Sequence, residues 1–331
     1  MRATLVFLAL AGGLGVAAPG FAADPAPLPA ALVSVRAAAE AGNVQAQTRL
    51  AGDYDNGREG VSADAATAFG WYLKAANQGD VTAETRVGGG YFLGDGVAKD
   101  QPAAIPWLQK AADQGSKGAQ FILGLAYGQG QGVKRDPAQA LVWYTKSAEQ
   151  GWAPAQSALG FAYDNGVGVQ RDPATAFTWL SKAAEQGDSR ASLAIALKYQ
   201  KGEGVAKDDG KAVEWLRKAA DKGNSYAIYL LANAMMSGEM GLNDPAQGRN
   251  MMEALAHKGM PFAEGAMAML YMDTGPQPDK VKAYAWCLRA AADGDATSKV
   301  MIATGAMPGD LTKEQQQEAV ALAKTLVPGR Q

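Results

Sequence analysis

The chain has 331 residues, 48% hydrophobic and 19% charged, with a formal net charge of −2. This ordinary balance, without a basic patch, argues against nucleic acid or anionic lipid as a partner. A single cysteine, Cys287, rules out an intramolecular disulfide, and a single histidine, His257, leaves no histidine or cysteine cluster for a metal.

At the N-terminus, Arg2 precedes an apolar run from Leu5 to Val16, followed by Pro19 and Gly20-Phe21-Ala22. A charged start, a short apolar stretch and small residues at the cleavage point predict a signal peptide over 1–22, cut after Ala22. The run is too short to span a bilayer as a helix. The expected location is therefore periplasmic or secreted, with no membrane span after cleavage. A proline-rich leader at 23–29 precedes a predicted capping helix from Ala30 to Ala41.

Beyond that helix the chain repeats itself. Asp64, Asp100, Asp136, Asp172, Asp208 and Asp244 stand 36 residues apart, and Asp279 follows one residue early. A period of that length marks a repeat solenoid. The predicted units run over 43–79, 80–115, 116–151, 152–187, 188–223, 224–259 and 260–294, with a C-terminal cap over 295–327.

Each unit reads as helix A, a glycine-rich loop, helix B and a tight turn. The aspartate before each helix B suits an N-cap, because its carboxylate can accept from the free amides of the first turn. Pro137, Pro173 and Pro245 follow three of these aspartates, at the first helical position, where no amide donor is needed. Trp71, Trp107, Trp143, Trp179, Trp215 and Trp286 fall seven residues after their aspartates, on the apolar face, where they are expected to fill the space between helices. Gly79, Gly115, Gly151, Gly187, Gly223, Gly259 and Gly294 suit the left-handed residue that ends a helix. In helix A, Ala119, Leu123 and Tyr127 share one face. One such hairpin cannot bury its apolar side, but stacked neighbours can.

The segments AQFILGLAYGQGQGVKRDPAQALVWYTKSAEQG, ending at Gly151, and AQSALGFAYDNGVGVQRDPATAFTWLSKAAEQG, ending at Gly187, closely resemble the Sel-one-like repeat (SLR) family. The resemblance extends over about residues 40 to 305. It implies an all-α, right-handed superhelical α/α solenoid of about seven helix-pair repeats with terminal capping helices. Repeat 6 departs from the pattern with Met235, Met251 and the loop SGEMGLND, and repeat 7 has the loop GPQPD. The resemblance further suggests adaptor work, and the expected function is a scaffold that binds a protein or peptide on its concave face, without catalysis or cofactor, and as a monomer.

Two other functions stay open at this point. Some cysteine-rich SLR proteins are linked with β-lactams or the cell wall, but the strings S-x-x-K, S-D-N and K-T-G are absent from this sequence. A methionine-based copper(I) site is the other, since nine of the twelve methionines lie between Met235 and Met272. Asp53, Asp55, Gly57, Glu59 and Asp64 loosely follow a calcium-loop spacing, yet Arg58 stands where glycine is required. No catalytic or metal-ligating residue is expected.

The candidate protein-binding residues lie off the repeat framework. Trp152 follows Gly151 where other repeats carry Asn43, Asp80, Ser116, Asp188 or Asn224. Tyr226 and Phe262 share one repeat position, and Met260 and Met269 flank Phe262. Aromatic side chains supply much of the binding energy of interfaces, and methionine adapts to varied apolar partners.

Overall fold

The computed structural model describes residues 30–272, 278–307 and 309–326. The expected signal peptide, the leader and most of the GPQPD loop lie outside the described residues. Among the described residues there are 17 α-helices and no strand.

Helix α1 (Ala30–Glu40) comes first. Seven A–B pairs follow: α2 (Val44–Asn56) with α3 (Ala65–Ala76), α4 (Val81–Leu93) with α5 (Gln101–Asp113), α6 (Lys117–Gln129) with α7 (Pro137–Glu149), α8 (Ala153–Asn165) with α9 (Pro173–Glu185), α10 (Ser189–Lys201) with α11 (Asp209–Asp221), α12 (Ser225–Ser237) with α13 (Pro245–His257), and α14 (Pro261–Met272) with α15 (Lys280–Ala292). Helices α16 (Ala296–Ala303) and α17 (Lys313–Ala323) complete the chain, and α17 packs back on α15. Its start carries a capping box, with Thr312 and Gln315 bonded reciprocally. Successive helices pack on one another along the chain, which is the arrangement of a helical solenoid.

Every aspartate of the 36-residue series caps its helix B. Asp136 shows the geometry, its Oδ1 accepting from the amides of Ala138 at 3.1 Å and Gln139 at 3.0 Å. The loops between helices need glycine for a second reason. Gly132 has φ 75°, and a Cβ there would stand 2.4 Å from the carbonyl oxygen of Gln101 in the preceding repeat. The loop therefore crosses the start of the previous helix B at backbone contact distance. In repeat 6 the equivalent residue is Met240, which keeps the left-handed conformation at φ 53° and packs against the core around Leu216.

The core follows the small residues. Ala83, Ala119, Ala155, Ala191, Ala227 and Ala263 have no exposed surface, so neighbouring helices approach closely there. The tryptophans fill the core less than their position suggests. Trp143 and Trp286 are buried, but Trp71, Trp107, Trp179 and Trp215 are only half-buried. The next residue goes deeper: Leu108, Leu180, Leu216, Met252 and Cys287 are each at most 2% exposed. An indole is too wide for that slot and lies across its edge. A lysine three residues on, one turn along, covers its open face: Lys74 over Trp71 at 3.7 Å, Lys182 over Trp179 at 4.1 Å and Lys218 over Trp215 at 3.9 Å.

A buried polar row joins the first four repeats. Gln47, Gln120 and Gln156 each donate to a carbonyl eight residues back, at 3.0–3.2 Å. Each also accepts from a glutamine at the end of its repeat's helix B: Gln78, Gln150 and Gln186, at 2.7–2.8 Å. The row is satisfied on both sides, so burying it fixes the stacking register with no stranded polar group. Glu84 takes this position in repeat 2 and accepts from Gln114 at 2.7 Å.

Candidate functional site

Two of the exposed large apolar side chains, Tyr226 and Met269, lie on the A helices of repeats 6 and 7. Tyr226 lies at the second position of α12 and is 45% exposed. Phe262 holds the same position in α14. Its ring meets Tyr226 at 5.9 Å and Tyr229 at 5.1 Å, both edge-on, while the two tyrosines stack at 5.8 Å. Edge-to-face and offset contacts suit the ring quadrupole, so the three rings brace one another across two repeats. Met269, further along α14, is 55% exposed.

The structure therefore brings Tyr226, Phe262 and Met269 onto adjacent A helices. Met260 is half-buried at the start of α14 and packs into the core around Leu255 and Ala263. Trp152 lies apart, at the N-cap of α8, where its side chain makes no capping bond. It is half-buried rather than free: its ring rests on Ala148, Ala155 and Leu159, and the Lys117 ammonium lies 5.1 Å from the ring centre.

Tyr229 was not anticipated from the sequence. Neither were Leu125, Phe161 and Leu197, which are half-buried and share a repeat position with Met269. That shared 36-residue register was the signal that could have found them. They hold this position with apolar side chains through repeats 3 to 5, Asn233 interrupts it in repeat 6, and Met269 resumes it in repeat 7.

The titratable residues weighed for chemistry have structural partners or are buried. The Asp64 carboxyl is held below its ordinary range by the Thr67 hydroxyl and by the Thr67 and Ala66 amides, as a cap requires. Asp53 and Asp55, considered above for calcium, face Arg49 at 3.9 Å and Arg86 at 3.4 Å. Cys287 is fully buried, and burial pushes its thiol pKa up. The His257 ring lies edge-on to Trp286 at 5.2 Å, with Nδ1 on the Leu326 carbonyl and Nε2 3.7 Å from Glu253. Met235, Met252 and Met267 belong to the core. Among the described residues, no group of three His, Cys, Asp or Glu could hold a metal ion. What the exposed face offers is shape, apolar area and rings, which suits binding.

A stack of capped helix pairs with one apolar helix face defines a helical-repeat scaffold. The chain belongs to the Sel1 repeat family: the Sel1 repeat model matches residues 44–80, 81–116, 118–152, 153–188, 189–224, 225–260 and 263–295. Two solved structures support the same fold. One is a protective antigen present in uropathogenic Escherichia coli strains, with an SLR fold, at 32% identity and a TM-score of 0.75; the match covers 90% of this chain and 64% of that one. The other is a Sel1 repeat protein from Oxalobacter formigenes, at 31% identity and a TM-score of 0.59, covering 68% of this chain and 96% of that one. No curated protein matches the chain. Among the described residues no helix is long and apolar enough to cross a membrane.

Proposed function

We propose that this protein is an exported, non-catalytic adaptor that holds a protein or peptide along the A-helix face of its Sel1 repeats. One observation carries the reading: the Tyr226, Tyr229 and Phe262 rings are braced together at the accessible face, with Met269 on the same helix as Phe262. Rings that support one another lose little freedom on binding, which favours affinity per unit area. Trp152 and Met260 are the outlying members of the proposed surface. The signal-like N-terminus supports export, and the likeness to a protective antigen fits a location outside the cytoplasm.

The test uses Tyr226→Ala, Phe262→Ala and Trp152→Ala in the purified chain. Each is expected to leave far-UV circular dichroism unchanged and to reduce recovery of a partner cross-linked in envelope extract and identified by mass spectrometry. Recovery unaffected by all three substitutions would overturn the placement of the surface. Turnover of nitrocefin by the purified protein, abolished by a single serine substitution, would overturn the non-catalytic reading.

A further inference from the structure

The twelfth residue of each of the first four A helices lies near the junction with the next repeat, and these junctions are filled differently. Between repeats 1 and 2, Asp55 pairs with Arg86 at 3.4 Å. Between repeats 2 and 3, the Phe92 ring is buried against Ala104, Leu108 and Ile122. Between repeats 4 and 5, Asp164 pairs with the buried Lys198. Between repeats 3 and 4 the residue is Gly128, and Ala158 stands where the preceding A helix has Ile122. Two large side chains are missing there, and a cleft of about 250 Å³ opens between α6, α7 and α8.

The cleft is walled by Leu141, Tyr144, Ala158, Phe161 and Val167, and no acidic residue lines it. The backbone does not demand glycine at its floor. Gly128 lies within α6, and a Cβ there would meet only Ala140 and the Tyr144 hydroxyl, both at 3.6 Å. Glycine weakens a helix interior, so the open space comes at the expense of local stability. An apolar cavity of about 150 Å³ takes up benzene, so this cleft has room for one ring.

Cations flank it. Arg190 lies over the Phe161 ring at 5.4 Å, and Arg135 reaches the Gly128 carbonyl at 3.1 Å. Neither makes a salt bridge among the described residues. We propose that this cleft is an anchor site for a partner segment that carries an aromatic or branched aliphatic side chain beside an aspartate or glutamate. The apolar side chain enters between α7 and α8, the carboxylate meets Arg190 or Arg135, and the Tyr144 hydroxyl is within reach of the segment's backbone. This proposal rests on the scaffold reading and adds the chemistry of the partner.

The test is a phage-displayed random-peptide selection on the purified chain, with binding of the selected synthetic peptides measured by fluorescence anisotropy. Selected sequences should place Phe, Tyr, Leu or Ile next to Asp or Glu. Gly128→Phe, which restores the side chain seen at Phe92, should weaken binding by about tenfold or more, as expected when an apolar pocket is filled. Circular dichroism should be unchanged. Ala158→Ile fills the same cleft from α8 and decides the matter if the first variant folds poorly. Arg190→Gln should weaken the acidic peptides and flatten their salt dependence. Peptides that bind both filled variants as tightly as the parent chain, yet are lost with Tyr226→Ala, would overturn the anchor site and leave the scaffold reading standing. Failure to select any peptide would overturn both.

Discussion

The backbone amide of Asp136 donates to the Tyr127 carbonyl at 2.8 Å, while the side chain of the same aspartate caps α7. One residue thus ties the end of helix A to the start of helix B. The bond recurs as Asp64 to Tyr54, Asp100 to Tyr91, Asp172 to Tyr163 and Asp208 to Tyr199, and Asp244 finds Met235 in the same place. The backbone half survives substitution and the cap does not. Asp136→Ala should therefore cost about 1 kcal/mol in urea unfolding, with Asp136→Asn recovering most of it. A loss of several times that size would mean that the carboxylate also holds the loop.

Gly132 and Gly241 separate two roles of glycine. Both have positive φ, 75° and 73°, but only Gly132 lies against the backbone of another repeat. Gly241 has nothing within 4 Å of where a Cβ would be. Gly241→Ala should carry only the left-handed penalty, about 1 kcal/mol. Gly132→Ala adds a clash with the Gln101 carbonyl and should lower the thermal midpoint much further. Equal midpoints for the two variants would show that the loop yields without cost.

Glu84 is the charged member of an otherwise neutral glutamine row. Burial pushes its carboxyl pKa up from the ordinary 4.5, with Lys110 opposing and Asp80 adding to the effect. A raised folded pKa means that the ionised form is penalised in the fold. The penalty is fully present above the folded value and disappears as pH falls from there toward the ordinary value. Glu84→Gln keeps the acceptor for Gln114 and supplies a donor for the carbonyl eight residues back, as Gln120 does. It should stabilise the protein at pH 7 by about 1 kcal/mol, and the gain should shrink on acidification. A gain independent of pH would assign the effect to the new hydrogen bond alone.

The caps, the turn glycines and the stacking alanines were legible because each is decided within a few residues of sequence. The depth of the tryptophans was not. Periodicity places Trp179 and Leu180 near one face but does not say which ring or chain fits the slot, and the deeper position varies from leucine to methionine to cysteine. Tyr229 was hidden because its equivalents differ from repeat to repeat, so it stands out only once Phe262 packs against it. The cleft at Gly128 was hidden for another reason. It is made by side chains missing from α6 and α8, and that becomes a space only when three helices meet. Met240 occupies a framework position with glycine's backbone conformation, which the side chain alone does not announce.

Cys287 offers a reporter for the C-terminal end of the stack. Its side chain has no exposed surface, and its Sγ donates to the Ser298 carbonyl at 3.7 Å, between α15 and α16. Burial pushes the thiol pKa up, so the reactive thiolate is scarce as well as shielded. The folded protein should react only slowly with an aromatic disulfide reagent. In a solenoid each repeat is held by its neighbours alone, so the stack can open from an end. The repeats near Met240 lack the close glycine contact of the earlier loops, and the glutamine row has ended before them. Thiol reactivity should therefore appear at a lower urea concentration than the loss of helical signal. Coincident transitions would mean that the stack unfolds as one unit, and that the irregular repeats are no weaker than the rest.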